Sequence, residues 1–309
     1  MNSRIGLLAG VGIVQLLFVA IYLFSEPSTD QVGAAFINFN ETEIQAFQIS
    51  EGENLVKIER GGDQWLVSGF LADATKASGL LGKISKLDAA WPVAQSEASA
   101  ERFEVTKNKF QRKVTIFGED DFVLDEFYLG TSPGYQRVHA RRVDADEIYS
   151  VKLSNYEFGL KVDDWMDKTL IKVTGDVSEI LLMKASGELG SKAVSLVDND
   201  GGWSIDSQMA DQPAVKTYLD RFSNLRVLGI SNEKGQKVAE LKLIVDGDPM
   251  TFTLFSLKDE EGEILEYVIE SSLVEGRFRL ASYLAEQILM TNTDLLPNME
   301  KPMANAENS

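Results

Sequence analysis

The sequence predicts an α+β protein: an N-terminal transmembrane helix followed by two tandem repeats of a mainly antiparallel β-sheet, each with one principal helix. Three observations carry this expectation. Residues 5–24, IGLLAGVGIVQLLFVAIYLF, form one unbroken apolar run. Short alternating segments separated by turn-forming residues fill most of the remaining chain. One amphipathic stripe occurs twice, 138 residues apart.

The apolar run comes first. A helix of this length, at 1.5 Å rise per residue, spans a hydrocarbon core of ~30 Å, and Gln15 is its only strongly polar side chain. Arg4 precedes it while Glu26 and Asp30 follow, so the positive-inside tendency predicts a cytoplasmic amino terminus in the inner membrane and a periplasmic or otherwise extracytoplasmic bulk. A cleaved signal peptide is the rival reading; its apolar core is usually shorter and ends at small residues, whereas this one ends Tyr22, Leu23, Phe24. Residues 1–24 are therefore expected to be an anchor that contacts the membrane through residues 5–24. Residues 25–35, SEPSTDQVGAA, read as a polar tether.

The first repeat is expected over residues 36–173 and the second over 174–296. Trp65 stands at the exit of a GGDQ turn, and Trp203 follows a DGG turn 138 residues later. The same shift carries Asp73 onto Asp211, and the stripe Ala77, Leu80, Leu81, Ile84, Leu87 onto Val215, Tyr218, Leu219, Phe222, Leu225. Both sets follow i, i+3, i+4, i+7, i+10, the spacing of one helix face. Asp73 and Asp211 occupy the N-cap place, and Pro213 falls in the first turn, where a missing N–H costs little. Alternating runs precede each tryptophan and follow each helix, joined by spacers such as GEDD, GTSPG, DGDP and KDEEGE, so antiparallel hairpins are predicted. The repetition reads as an internal duplication. Trp65, Leu81, Ile84 and Leu87, and Trp203, Leu219, Phe222 and Leu225, are the predicted core plugs of the two copies, because a buried tryptophan contributes about 150–250 Å² of apolar surface. Residues 297–309 lack periodicity and read as a disordered tail.

Composition narrows function. The chain of 309 residues carries 30 Lys and Arg against 48 Asp and Glu, a net charge of −18, which repels phosphate backbones and argues against nucleic acid as a partner. With no cysteine and one histidine, neither thiolate chemistry nor a histidine-rich metal site is available. GTSPG at 130–134 fits the G-x-S-x-G pattern of a hydrolase elbow, but that motif requires a helix after it, and here a strand is predicted. It reads as a hairpin turn, as does DNDGG at 198–202, which lacks the later ligands of a calcium loop. The acidic runs EDD at 119–121 and DEEGE at 259–263 read as solvated hairpin tips.

QRVHARR at 136–142 stands out against the acidic background. On a strand, Arg137, His139 and Arg141 share one face, with Val138 and Ala140 on the other. Aligning Tyr149 with Phe278 sets Glu266 and Glu270 where the first repeat has Arg137 and Arg141. One reading is a solvated face paired with nearby carboxylates; the sharper one is a cationic strip, Arg137, His139 and Arg141, contacting an acidic partner or anionic ligand.

The lead-in LVKIERGGDQWLV, the helix ADATKASGLLGKISKL, the meander FYLGTSPGYQRVHARRVDADEIYSV and the closing segment VDDWMDKTLI together resemble the domain-of-unknown-function family numbered 4340, over nearly the whole exported part. Family members are similar in having one N-terminal membrane helix, and many are encoded beside ABC transporter components related to gliding motility. The resemblance implies a non-enzymatic, membrane-anchored envelope protein, an accessory binding or scaffolding module of an ABC-type transport system with other membrane transport proteins as partners. It carries over no catalytic, metal or cofactor-binding residue, and no cofactor is expected. The alternatives are an extracytoplasmic small-molecule sensor or carrier binding between the repeats, and a hydrolase using paired carboxylates.

Overall fold

The computed structural model describes residues 34–37, 39–89, 91–185, 194–199 and 201–297. The expected anchor at 5–24, most of the tether and the tail beyond Pro297 lie outside these residues. Among the described residues no helix is long and apolar enough to cross a membrane.

In chain order the elements begin with β1 (Ala34–Ala35), β2 (Ala46–Glu51), β3 (Asn54–Gly61), β4 (Gln64–Val67), β5 (Phe70–Leu71) and α1 (Ala74–Ile84). Next come β6 (Asp88–Ala89), α2 (Glu97–Arg102), β7 (Val105–Thr106), β8 (Lys109–Phe110), β9 (Arg112–Phe117), β10 (Val123–Leu129), β11 (Val138–Arg142), β12 (Ile148–Val151) and α3 (Val162–Trp165). The remainder holds β13 (Val177–Lys184), β14 (Val194–Asn199), β15 (Gly202–Ile205), β16 (Gln208–Met209), α4 (Gln212–Ser223), β17 (Gly229–Ile230) and β18 (Gln236–Val245). It ends with β19 (Asp248–Lys258), β20 (Ile264–Ser271), β21 (Arg277–Leu280), α5 (Ser282–Ile288) and α6 (Asn292–Leu295). The architecture is α+β, with mostly antiparallel sheets and a few helices.

These elements form two compact units that do not follow chain order: residues up to Asn54 with Ser78–Phe158, and Leu55–Ala77 with the residues from Gly159 onward. In the first unit, β12, β11, β10, β9 and β2 lie side by side in that order, each pair antiparallel. Opposite residues share a face, so Ile49, Val114 and Phe127 line up across three strands, and all are buried. Phe36 packs edge-on against Phe127 and Tyr149 at centroid distances of 5.6 and 5.8 Å. The other face is also covered. Segment 93–110, carrying α2, β7 and β8, lays Ala100, Val105 and Phe103 against Tyr128 and Ile148 in a second, smaller core.

In the second unit nine strands run β16, β15, β14, β13, β18, β19, β20, β21, β17, and β3, β4 and β5 pair as consecutive hairpins. The pairings of β2 with β9, β9 with β10, β10 with β11 and β11 with β12 recur as β13 with β18, β18 with β19, β19 with β20 and β20 with β21. Likewise β3–β4–β5 recurs as β14–β15–β16.

Local chemistry explains the turns. Asp246 (φ 52°) and Gly247 (φ 89°) form the two-residue loop between β18 and β19, the Asp-Gly pair that suits two left-handed positions. Ser68 and Gly69 make such a loop after β4, and Asp206 and Ser207 make one after β15, all with positive φ. Helix starts also match. Asp73 Oδ1 accepts from the Lys76 N–H at 2.9 Å, and Asp211 Oδ1 from the Ala214 N–H at 3.1 Å. The Asp73 N–H donates to the Trp165 carbonyl in α3, and the Asp211 N–H to the Leu295 carbonyl in α6. Thus each helix start is tied to the short helix that closes its stretch of chain.

Candidate functional site

Helix α1 continues past Ile84 into a turn that ends at Leu87. Its apolar stripe, Leu80, Leu81, Ile84 and Leu87, is buried. Its other side carries Gly79, Gly82, Lys83 and Lys86, at the i, i+3, i+4, i+7 spacing of one helix face. A Cβ added at Gly79 would meet nothing within 4 Å. An open groove of ≈ 970 Å³ lies along this side, bounded by Lys83, Lys86, Tyr135, Lys152 and Glu157. It merges with a hollow of ≈ 440 Å³ through the shared Lys86 and Lys152, where Trp91, Arg137 and Tyr149 form the walls.

The charge of this groove opposes that of the chain. The Lys86 and Lys152 side chains are exposed and have no hydrogen bond or ion pair among the described residues. Arg137 directs its guanidinium to Ser150, to the hydroxyl at 2.9 Å and to the backbone carbonyl, and to no carboxylate among the described residues. Only Lys83 is neutralised, by Glu157. Trp91 is 75 % exposed and Tyr135 89 %, so two large rings stand at the rim. Burial, and then the charge of Glu147, push the Tyr149 hydroxyl above its ordinary range, so it stays neutral and can donate.

The predicted strip is redistributed. Arg137 is exposed and belongs to the groove, as just described. His139 is 7 % exposed, with its ring stacked on Phe103 at 3.9 Å and its Nδ1 2.9 Å from the Thr131 hydroxyl. Arg141 is tied to the Val105 carbonyl at 2.7 Å and the Ala145 carbonyl at 3.0 Å, with its guanidinium above the Tyr128 ring. The expectation of one solvated cationic face is therefore corrected: segment 93–110 covers it, and two of its three members serve packing. Burial, with help from the charge of Arg102, keeps the His139 pKa below its ordinary value, against an opposing hydrogen bond with Thr131.

Among the predicted core plugs, Trp65, Leu81, Ile84, Leu87, Phe222 and Leu225 are buried. Trp203 and Leu219 are only half-buried, a correction. Trp65 lies opposite Arg60, whose guanidinium covers its ring at 4.5 Å; Trp203 lies opposite Asp198, which is too short to do so. Leu219 sits on the flank of a stripe whose centre is Val215, Tyr218 and Phe222. In the GTSPG turn the Ser132 hydroxyl donates to the carbonyls of Gly134 and Arg137, at 2.9 and 2.5 Å, while His139 faces Thr131 instead.

Sequence reasoning passed over Trp91, Lys86 and Lys152. The lysines on the polar side of α1 were readable from their spacing with Gly79 and Gly82, but an exposed lysine there looks like any solvated helix face. Lys152 joins them only through the fold.

Comparison with known proteins gives one match: the family model described as "Domain of unknown function (DUF4340)" matches residues 65–243, more than half of the chain. No curated protein and no solved structure matches.

Proposed function

The chain belongs to the DUF4340 family, and from that premise we propose that it is a non-enzymatic, membrane-anchored envelope protein that docks other membrane transport proteins as an accessory of an ABC-type system. Residues 5–24 hold it in the inner membrane, and the described units work on the extracytoplasmic side. The observation that carries the docking role is the groove beside α1. Among the described residues, Lys86, Lys152 and Arg137 have no carboxylate partner, in a chain of net charge −18 and next to exposed aromatic rings. Cations in a shallow groove attract an acidic partner from a distance, and exposed rings supply contact area once it arrives.

We also read the fold as two copies of one plan, a sheet with one principal helix, over residues 36–173 and 174–296. The recurring strand pairings, the paired N-caps and the matched ties from Asp73 to Trp165 and from Asp211 to Leu295 support this reading. The groove then belongs to one copy alone, as expected of a duplicated unit that has acquired a role in one half.

Photo-crosslinking from position 91 or 135 in intact membranes, followed by identification of the captured proteins, tests the role. Capture of ABC transporter subunits is the expected result. Capture of none in the native membrane would overturn it.

A further inference from the structure

The hollow between Trp91 and β12 runs along an exposed strand edge. The His139 N–H donates to the Thr131 carbonyl and the His139 carbonyl accepts from the Gly130 N–H, so both groups point toward the β10 side. Ser150, directly opposite on β12, therefore turns its own N–H and C=O away from β11, toward the outer edge. Two residues earlier, Ile148 uses that edge to bond both the Val93 N–H and the Ala94 carbonyl. Beyond this bridge no backbone hydrogen bond joins β12 to this side among the described residues, and the space opens into the hollow lined by Trp91, Arg137, Ser150, Lys152 and Lys86. The described hydrogen-bond donor to Ser150 on that edge is the Arg137 guanidinium, which contacts its carbonyl and hydroxyl; Ala89 and Trp91 stand beside it across the hollow.

We infer that the open edge of β12 at Ser150–Lys152 receives an extended acidic segment of a partner protein by strand addition, with Lys86, Lys152 and Arg137 reading its carboxylates and Trp91 closing over it. This inference rests on the docking role proposed above and names the chemistry of the partner. A strand edge offers backbone groups that only another backbone matches in register, so a polypeptide fits better than a sugar polymer or a free anion. The charge selects the sequence: three cations without carboxylate partners line the edge, and acidic side chains on alternate residues of an incoming strand would face them. Arg137 gives up its bond to the Ser150 carbonyl as the peptide arrives, and its guanidinium is then available for a carboxylate.

The test uses the full chain in lipid nanodiscs and a fluorescent peptide, Glu-Thr repeated four times. A twin peptide is N-methylated at alternate residues, so that its charge is kept and its backbone donors are lost. The first peptide is expected to bind and to protect the Ser150 amide from hydrogen exchange, and the twin to bind at least about tenfold more weakly. Lys86→Glu with Lys152→Glu should weaken binding by about tenfold or more, and the neutral pair Lys86→Gln, Lys152→Gln by less, with unchanged circular dichroism melts. Equal binding of both peptides, unprotected Ser150, or indifference to the lysine changes would overturn the inference. So would binding of heparin in place of the peptide. Lysines that merely guard the edge against pairing would give no peptide binding at all. Dimerisation of the chain abolished by the lysine changes, without peptide binding, would assign the groove to a second copy and also overturn it. The two proposals fail separately: transporter capture that survives the lysine changes removes this inference alone, whereas loss of capture in the native chain removes the docking role whatever the peptide does.

Discussion

Helices α1 and α4 occupy matching places in the chain, yet a groove runs beside α1 where α4 meets another helix. On α4, Tyr218 donates its hydroxyl to the Ile288 carbonyl at 2.8 Å and Arg221 donates to the Gln287 carbonyl at 2.7 Å, so α5 lies against the helix. On α1 the positions 138 residues earlier are Leu80 and Lys83, and Lys83 reaches Glu157 in a single short turn, Asn155–Glu157, rather than a helix. Gly79 and Gly82 stand where α4 has Thr217 and Asp220, and Lys86 where it has Asn224. The same helical address thus yields a covered surface in one case and an open, cationic one in the other. The core-facing stripe keeps an apolar or aromatic residue at every position, although three of its five members differ in size between the two helices. The opposite side differs more in character, with two glycines and a short turn beside α1 where α4 carries Thr217 and Asp220 and meets α5.

The comparison can be broken most forcefully at the segments that close each stretch of chain. Trp165 and Leu295 both bury fully and both accept from the N-cap aspartate, but Trp165 also donates its ring N–H to the Gly159 carbonyl at 2.8 Å. Trp165→Ala is expected to cost about 3–5 kcal/mol and Leu295→Ala about 2–3, read by urea unfolding followed by circular dichroism. Equal losses would mean that the two closures are held by the backbone tie alone.

A smaller contrast is expected at the hairpin tryptophans. Trp65→Ala, which empties a site under the Arg60 guanidinium, should cost about 3 kcal/mol or more, and Trp203→Ala about 1–2, since part of the second side chain already meets water. The same unfolding curves decide it, and a larger loss at Trp203 would contradict the burial difference. The caps should differ less still. Asp73→Ala and Asp211→Ala are each expected to lower stability by about 1 kcal/mol, with Asn substitutions nearly neutral, and similar values at both sites would sharpen the match between the two helix starts.

The weakest effect concerns pH. His139 has Val268 as its counterpart under the shift that aligns Tyr149 with Phe278, so only one of the two strands titrates here. Burial holds the folded pKa of His139 below its ordinary 6.5, and the unfolded chain therefore binds the proton more readily than the folded one. Its contribution to stability is complete above about pH 6.5 and is lost as the pH falls from there toward the lowered folded value. His139→Gln should flatten the stability profile within that window, and a single-histidine NMR titration gives the folded pKa directly. A titration at or above 6.5 would contradict the packing on Phe103.

Much of the fold was legible. The stripes of α1 and α4, the capping aspartates and the alternating strands are local patterns, and each depends on residues a few positions apart. What escaped was the covering of β11. Arg137, His139 and Arg141 do share a face by the period of two, but the pattern of one strand carries no record of what packs above it. Segment 93–110 supplies that cover through Phe103 and Val105, residues with no periodic signal of their own.

By itself, the sequence determined the two principal helices with the stripes they bury, most of the alternating strands around them and the shift relating two stretches of the chain, because these follow from side-chain period and from capping chemistry within a turn or two. Only the tertiary structure decided which cations remain without partners. Lys86, Lys152, Arg137 and Trp91 are scattered over 67 positions of the chain. They line one groove because the ends of α1 and β12 and the segment leading to Val93 converge, and whether a charge is neutralised depends on neighbours in space rather than in sequence.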